Sequence, residues 1–118
     1  MPHRQFDESS LWDMLDAAIA IQTFILNKTP HDYLVDRMLR GAVERHLEII
    51  GEAAQRISDD FKNTHPEVPW RKIIGQRNVL AHEYGEILHE RVWNVAVQDI
   101  PVLIETLRPI IPYEPYSE

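Results

Sequence analysis

The fold is decided by the stretch Leu39–Ala54, which reads LRGAVERHLEIIGEAA. Its apolar residues recur every three or four positions, and this spacing places them on one face of an α-helix. The same spacing continues outward to Leu34 and to Phe61, and Thr29 followed by Pro30 is a favourable helix N-terminus. The pattern therefore predicts one long central helix from Pro30 to Phe61.

Capping residues, glycines and prolines indicate where the other helices begin and end. They predict three further helices, which run from Ser9 or Ser10 to about Asn27, from Pro69 to Gly85, and from about His89 to Pro101. The missing NH of Pro101 is expected to kink the last helix or restart it. We expect Gly41 and Gly51 to allow close packing of neighbouring helices.

No segment shows the alternation that predicts a strand, so the expected fold is all-α. The natural architecture is an antiparallel bundle of four or five helices, with Trp12, Trp70 and Trp93 as core anchors. We expect residues 1–118 to form one domain, with flexible ends at about 1–9 and 109–118.

Composition narrows the classes of protein to consider. The chain has no cysteine, which excludes disulfides and thiolate metal sites. Its N-terminal residues lack an apolar run, and no window approaches the length of a membrane span. We therefore expect a cytoplasmic protein with no membrane contact.

Charge is unevenly distributed along the chain. The net charge is −7, but residues 28–85 contain nine basic and nine acidic side chains, so the two ends supply the excess. A local cationic site is compatible with this distribution, whereas a long basic track for a nucleic-acid duplex is not.

The strongest chemical signal is the string Arg77–Tyr84, which reads RNVLAHEY and lies near a predicted helix end. An arginine binds phosphate through a planar fork of donors and keeps its charge, and a histidine exchanges a proton near neutral pH. Arg77 and His82 together could therefore cleave RNA without a metal.

The string resembles the HEPN superfamily, and within it the HepT-like toxins with their R-x4-H-x-Y motif. The resemblance covers about Leu11 to Leu107 and includes three further segments in the same order: residues 42–54, 69–75 and 92–101. It implies a HEPN-type bundle that dimerises around the motif. It also implies the toxin of a toxin-antitoxin pair, acting as an endoribonuclease on tRNA or another short structured RNA.

The resemblance also implies roles for the motif residues. His82 would deprotonate a ribose 2′-hydroxyl, Arg77 would hold the phosphate, and Asn78 would orient a phosphate oxygen or the imidazole. The product would be a 2′,3′-cyclic phosphate, with no metal and no cofactor. We name four cations as candidate RNA contacts: Arg40, Arg45, Arg71 and Lys72.

Helix geometry constrains this interpretation. On an ideal helix, Arg77 and Tyr84 fall within about 20° of one face, whereas Arg77 and His82 differ by about 140°. Either the helix distorts near Gly75 or Gly85, or a second copy completes the site across a two-fold axis. The resemblance favours a homodimer.

Tyr84 has a second implied role. In HepT-like proteins the motif tyrosine accepts AMP groups from an MntA-like nucleotidyltransferase antitoxin. Added bulk and negative charge would then occupy the phosphate site. The alternative is that Tyr84 is a packing or stacking residue with its hydroxyl at the surface.

Other interpretations stay open at the level of sequence. Arg77 could be a surface ion-pair partner and His82 could interact with a helix C-terminus. Three glutamates that recur every four residues could line a dimer cleft or form a solvated stripe: Glu44, Glu48 and Glu52. Three nearby arginines could approach RNA or form ion pairs with these glutamates: Arg37, Arg40 and Arg45.

Two other functional classes compete with a ribonuclease. One is a non-catalytic subunit that presents a nucleotide or substrate to a separate nucleotidyltransferase, and the other is a purely structural dimerisation bundle.

The Glu86-x-x-His89 spacing is that of carboxylate-bridged metal sites, but such a site would need a second pair. We therefore expect no metal.

Overall fold

The computed structural model describes the backbone of residues 2–82 and 86–111 and the side chains of residues 7–76 and 88–111. Within these ranges every regular element is helical, which confirms the all-α bundle. The α-helices are Pro2–Ile25 (α1), Pro30–Val35 (α2), Arg37–Arg56 (α3), Asp59–Thr64 (α4), Trp70–His82 (α5), Glu86–Asn94 (α6) and Ile100–Leu107 (α7). A π-helical turn, Val95–Asp99, joins α6 to α7, and a 3-10 turn, Arg108–Ile110, follows α7. None of these described helices combines the length and apolar character needed to cross a membrane.

The contact between α1 and α3 forms the centre of the bundle. Leu11, Ala18 and Ile21 of α1 and Val43 and Ala53 of α3 are completely buried. Helix α5 packs against α3, and α7 packs against α1. Each large aliphatic side chain buried in this way stabilises the fold by about 1.5–3 kcal/mol relative to an exposed one.

The tryptophans lie where the sequence predicted. Trp70 and Trp93 are buried in the core, and Trp12 is partly buried and packs against it. Their expected role as core anchors is confirmed.

Helix α1 begins at Pro2, so the predicted N-caps at Ser9 and Ser10 are wrong. Ser10 is buried inside the helix. The buried carboxylate of Asp7 accepts hydrogen bonds from the backbone NH of Ser58 at 2.8 Å and from its Oγ at 2.7 Å. A tertiary contact therefore holds α1 in helical form upstream of the local capping signal.

The predicted end of the first helix is confirmed. Asn27, with φ of 62°, follows the last helical residue, Ile25, by two positions. Asparagine tolerates this left-handed conformation better than most residues, and the NH of Lys28 bonds to the carbonyl of Ile25 at 2.9 Å.

The predicted start of the second helix at Thr29 and Pro30 is also confirmed. The Oγ1 of Thr29 accepts a hydrogen bond from the NH of Asp32 at 3.0 Å, and the Asp32 carboxylate accepts one from the NH of Thr29 at 2.9 Å. This reciprocal arrangement is a capping box. The bond from the Thr29 backbone, followed by that from its side chain, lowers the pKa of Asp32 below its ordinary value.

The single long central helix is wrong, because the chain breaks at Asp36. Asp36 leaves the helical conformation, with φ of −101° and ψ of 98°, and its carboxylate accepts a hydrogen bond from the NH of Leu39 at 3.1 Å. The aspartate thus caps α3 by competing with the backbone for hydrogen bonds. A second break follows α3, where the Oγ of Ser58 accepts a bond from the NH of Phe61 at 3.2 Å and caps α4.

The two central glycines have different surroundings. Gly51 is buried, as close packing requires. Gly41 is exposed, and a Cβ there would have no atom within 4 Å. The expectation of close packing at Gly41 is therefore wrong, because that face of α3 is turned to solvent.

The distortion predicted at Pro101 takes the form of the π-helical turn before it. The NH of Ile100 bonds to the carbonyl of Val95, five residues earlier. Since Pro101 has no NH, the carbonyl of Val97 cannot receive its usual α-helical bond. The wider π-helical turn accommodates the missing hydrogen bond, and a new α-helix, α7, begins at Ile100. Of the two predicted outcomes at Pro101, a kink or a restart, the restart is confirmed.

The buried Asp7 interaction gives a stability prediction. Replacing Asp7 with Ala removes two charge-assisted hydrogen bonds at the α1–α4 contact, and we expect the free energy of unfolding to fall by about 2 kcal/mol. Denaturant unfolding followed by circular dichroism measures this loss.

The matched control is Asp13→Ala on the same helix, where the carboxylate forms an exposed ion pair with Arg56 at 3.3 Å. Exposed pairs contribute about 0–1 kcal/mol, so this variant should unfold almost like the wild type. Equal losses in the two variants would contradict the role assigned to Asp7.

Candidate functional site

Helix α5 carries the first part of the reactive string and is anchored at its N-terminus. Trp70 is buried there, and its Nε1 donates a hydrogen bond to the carbonyl of His65 at 2.9 Å. The ring of Phe61 meets Trp70 edge to face, with ring centroids 6.2 Å apart. The predicted start of this helix at Pro69 is confirmed, since α5 begins at Trp70.

Three of the predicted site residues, Arg77, Asn78 and His82, belong to α5 by their backbone. Their side chains lie outside the described residues, and Tyr84 lies outside them altogether. Their chemical roles therefore stay predictions.

The path of α5 nevertheless removes one geometric alternative. The helix is continuous from Trp70 to His82 and passes through Gly75 without a break. The positions of Arg77 and His82 consequently stay about 140° apart around the helix axis. Since Arg77 and His82 both lie within this continuous helix, neither a distortion at Gly75 nor one at Gly85, which lies outside the described residues, would change the angle between them. Completion of the site by a second copy of the chain stays a prediction.

Asp99 ties α5 to the π-helical turn. The Nζ of Lys72 lies 3.3 Å from the Asp99 carboxylate, and the side-chain amide of Gln76 donates to the same oxygen at 3.5 Å. Gln76 directly precedes Arg77 in the helix. Asp99 thus links the residues that precede Arg77 to the π-helical turn. In the sequence, Asp99 was signalled by its place before the predicted kink and within the segment 92–101 that carries the resemblance.

A groove runs beside this contact, between α3, α5 and the π-helical turn. It consists of two adjoining cavities of about 240 and 520 Å³, which share Leu47, Lys72, Gln76, Val95 and Asp99. The shared lining is partly aliphatic, with Lys72, Gln76 and Asp99 as its polar part. An elongated ligand that follows α5 would meet both kinds of surface.

The two candidate RNA contacts on α3 are already engaged within the chain. Arg45 lies 3.3 Å from Glu52 and 3.7 Å from Glu48, so the predicted pairing with these carboxylates is confirmed for Arg45. Arg40 donates a hydrogen bond to the carbonyl of Leu34. Both ion pairs of Arg45 are exposed, and such pairs exchange readily with solvent ions.

The two candidate contacts on α5 differ from each other. Lys72 is paired with Asp99, whereas Arg71 is exposed and forms no ion pair with another described residue. Arg71 is therefore a cation that an incoming anion could reach without displacing a carboxylate of the described residues or a backbone hydrogen bond like that of Arg40.

A second cavity, of about 250 Å³, lies between α2 and α6 and is lined by Tyr33, His89 and Trp93 among others. The sequence did not single out Tyr33, because a lone tyrosine in a short helix carries no motif. His89 entered only through the Glu86-x-x-His89 spacing. Among the described side chains, no group of three His, Asp or Glu residues is placed to hold a metal ion.

Residues 14–110 match the family model described as "Ribonuclease HepT-like". The match spans most of the chain, so this protein belongs to the HepT-like family of the HEPN superfamily. No solved structure matches the chain.

Named relatives agree with this assignment. The chain is 37% identical to "Putative RNase MJ1380" of Methanocaldococcus jannaschii, an alignment that covers 77% of this chain and 84% of the relative. It is 40% identical to "Probable ribonuclease HepT" of Thermococcus cleftensis, over 79% of this chain and 84% of the relative.

Proposed function

We propose that this protein is the toxin of a toxin-antitoxin pair and acts as a metal-independent endoribonuclease. The observation that carries the proposal is the string Arg77-Asn78-x3-His82-x-Tyr84, within a chain that belongs to the HepT-like family. The names of its relatives as ribonucleases support the same reaction class.

In the proposed reaction, His82 removes the proton from a ribose 2′-hydroxyl. The 2′-oxygen attacks the adjacent phosphorus, the bond to the 5′-oxygen breaks, and a 2′,3′-cyclic phosphate remains. Arg77 binds the phosphate and stabilises the charge that grows on its oxygens, while Asn78 orients a phosphate oxygen or the imidazole. General-base catalysis of this kind contributes about 10²- to 10⁴-fold to the rate.

The continuous helix α5 supports a homodimer as the active form. Because Arg77 and His82 occupy different sides of one helix, a single copy does not place both against one phosphate on a straight helix. A two-fold arrangement brings Arg77 of one protomer toward His82 of the other.

The distribution of charge supports a short or structured RNA, such as tRNA, as the substrate. The middle of the chain is electrically balanced, and Arg45 and Lys72 are paired with carboxylates. The net charge of −7 and the balanced middle of the chain therefore give little electrostatic attraction for a long phosphate backbone.

The same charges favour one alternative. A chain with net charge −7, in which Arg45 is already paired with carboxylates, is easier to reconcile with a non-catalytic subunit that presents a substrate or nucleotide to a nucleotidyltransferase. Such a subunit would bind its partner but would not cleave RNA.

We propose that the partner is an MntA-like nucleotidyltransferase antitoxin that attaches AMP to the hydroxyl of Tyr84. Tyr84 is seven positions after Arg77, close to the same face on an ideal helix, and added nucleotide would carry negative charge into the phosphate site. We further propose that the chain forms one domain and acts in the cytoplasm.

The first test is RNA cleavage by the wild type and by His82→Ala with total tRNA in excess chelator. We expect cleavage by the wild type alone, with 2′,3′-cyclic phosphate ends detected by end-specific ligation. His65→Ala is the matched control, because its imidazole pairs with Glu67 at 3.0 Å in the loop before α5. Cleavage by a folded His82→Ala dimer would refute the base, and no cleavage by a verified wild-type dimer would favour the binding subunit.

The second test compares two cations. Arg71→Ala should weaken binding of RNA to the inactive His82→Ala protein and should lower the slope of log K against log salt by about 1, because one phosphate contact is lost. Arg45→Ala should change the slope less, since Arg45 is already paired with Glu48 and Glu52. Fluorescence anisotropy at several salt concentrations measures both slopes, and a larger change for Arg45→Ala would overturn this ranking.

The third test is intact-mass spectrometry after incubation with an MntA-like enzyme and ATP. We expect the mass to rise by one or more AMP groups in the wild type and to stay unchanged in Tyr84→Phe, since the phenol oxygen is the acceptor. Modified protein should lose RNA cleavage. An equal mass increase in Tyr84→Phe would assign the modification to another residue.

A further inference from the structure

A glycine lines the larger of the two cavities beside α5. This cavity, of about 520 Å³, lies between α5, α6 and the π-helical turn, and we call it the α5–α6 groove. Gly75 is in the middle of α5, and a Cβ at this position would have no atom of the described residues within 4 Å. Glycine in a helix interior destabilises the fold by about 1 kcal/mol relative to alanine. Packing among the described residues does not require the glycine, but its missing side chain keeps the groove open.

The polar groups that line the α5–α6 groove reach solvent. Arg91 and Asn94 are exposed, and Gln76 is half-buried. The side chains of Lys72 and Asp99, which pair at 3.3 Å, are 61% and 38% exposed. A ligand that enters the groove can therefore contact these groups directly from solvent.

The charge of the α5–α6 groove is opposite in sign to that of the whole chain. Among the described residues, its charged lining consists of two cations, Lys72 and Arg91, and one carboxylate, Asp99. Arg71, four positions before Gly75, is exposed on the adjoining side of α5. The groove is thus locally positive on a chain of net charge −7, and a phosphate backbone complements it.

The α5–α6 groove lies on the same side of α5 as the proposed general base. Gly75 and His82 are seven residues apart on a continuous helix. Their positions therefore fall within about 20° of each other around the axis and about 10 Å apart along it. An RNA strand with its scissile phosphate at position 82 would continue along α5 into the groove.

We propose that the α5–α6 groove binds a single-stranded flank of the RNA substrate, a few nucleotides from the scissile phosphate. The sugar-phosphate backbone passes over Gly75, where a side chain would block it. Lys72 and Arg91 contact its phosphates, and Gln76 and Asn94 supply hydrogen bonds to phosphate or ribose oxygens. Proteins that bind single strands use a positively charged groove that follows the backbone in this way. The inference rests on the proposed ribonuclease function and names the surface that holds the substrate beside the cleavage position.

The lining of the α5–α6 groove also predicts how little of the RNA sequence it reads. None of the described residues that line it is aromatic, so they offer no ring on which a base could stack. Contacts to phosphate and sugar carry no sequence information directly. The groove therefore holds the flank without selecting its bases, and Asp99 limits the affinity because it competes with phosphate for Lys72.

The direct test is a matched pair of glycine variants. Gly75→Gln places a side chain in the α5–α6 groove, whereas Gly41→Gln places the same side chain on the exposed face of α3, in equally open surroundings. Both variants should be at least as stable as the wild type in thermal unfolding, because glutamine forms helices better than glycine.

The binding probe is a short single-stranded oligoribonucleotide with 2′-O-methyl groups, which has no free 2′-hydroxyl and is not cleaved. Fluorescence anisotropy gives its Kd for each full-length protein. We expect Gly75→Gln to bind several-fold more weakly than the wild type and Gly41→Gln to bind like the wild type. Equal affinities for the two variants would overturn the proposal.

Charge variants should change the affinity for the same probe in opposite directions. Lys72→Gln should weaken binding and lower the slope of log K against log salt by about 1. Asp99→Asn should strengthen binding, because the amide oxygen still accepts the hydrogen bond of Gln76 but no longer competes with phosphate for Lys72. Damage to the fold would not produce tighter binding, so weaker binding by Asp99→Asn would overturn the proposal.

Lys28→Gln is the charge-matched control, since Lys28 is exposed after α1 and does not line the α5–α6 groove. It removes the same unit of charge as Lys72→Gln. We expect it to leave the affinity and the salt slope nearly unchanged. Equal losses in the two lysine variants would indicate attraction by overall charge and would overturn the groove as the binding surface.

A second copy of the chain is the competing occupant of the groove. Sedimentation velocity of the wild type, Gly75→Gln and Gly41→Gln distinguishes the two cases. We expect the same oligomeric state for all three proteins. Loss of the dimer in Gly75→Gln alone would make the groove an interface between copies and would overturn RNA as its occupant.

Cleavage of unmodified RNA separates this inference from the proposed function. Shortening the substrate on one side of the cleavage position should slow cleavage by the wild type and should have little further effect on Gly75→Gln, because two changes at one contact are not additive. Equal sensitivity of both proteins to shortening on either side would overturn the groove and leave the ribonuclease intact. Probe binding that depends on Gly75, without RNA cleavage by a verified wild-type dimer, would support the groove and refute the ribonuclease.

Discussion

The packing of α1 against α3 is the constraint on which the rest of the structure depends. Both helices contribute small, completely buried side chains to the core, such as Ala18 and Ala53. Helix α3 then receives α5 on another face, and α1 receives α7. The helix that carries Arg77 and His82 is therefore positioned by the core, so a mutation that loosens the α1–α3 contact would also displace the candidate site.

Carboxylate and hydroxyl side chains decide where the chain turns. Three side chains accept hydrogen bonds from backbone NH groups near the start of a helix: Asp32, Asp36 and Ser58. Asp7 accepts two more bonds across the bundle, from the backbone and the side chain of Ser58. These interactions are individually modest, but each satisfies a donor that would otherwise be unpaired at a helix end. They divide one apolar pattern into α2, α3 and α4.

The helix that carries the reactive string is held by contacts of the residues before Arg77, in a chain of net negative charge. Trp70 anchors one end of α5, and Asp99 contacts Lys72 and Gln76 next to the reactive string. A rigid helix suits the proposed chemistry, because Arg77 and His82 must meet one phosphate in a defined geometry. Affinity for RNA must then come from contacts other than a basic track.

The sequence by itself determined the all-α class, the cap at Thr29, the helix ends near Asn27 and Pro69, and the core role of the tryptophans. The string Arg77–Tyr84 also sufficed to suggest the family, because its residue types at that spacing carry the chemistry. These features are local, since a cap or a periodic face depends on neighbours within about one turn.

Only the tertiary structure decided where α1 begins, that Gly41 faces solvent, and which partners hold Arg45 and Lys72. The break at Asp36 had its capping aspartate in the sequence, but the apolar period continues through it. The start of α1 depends on a contact between Asp7 and Ser58, 51 residues apart. The cavity between α2 and α6 likewise joins residues distant in sequence, and a pattern read along one helix contains no information about which distant side chain faces it.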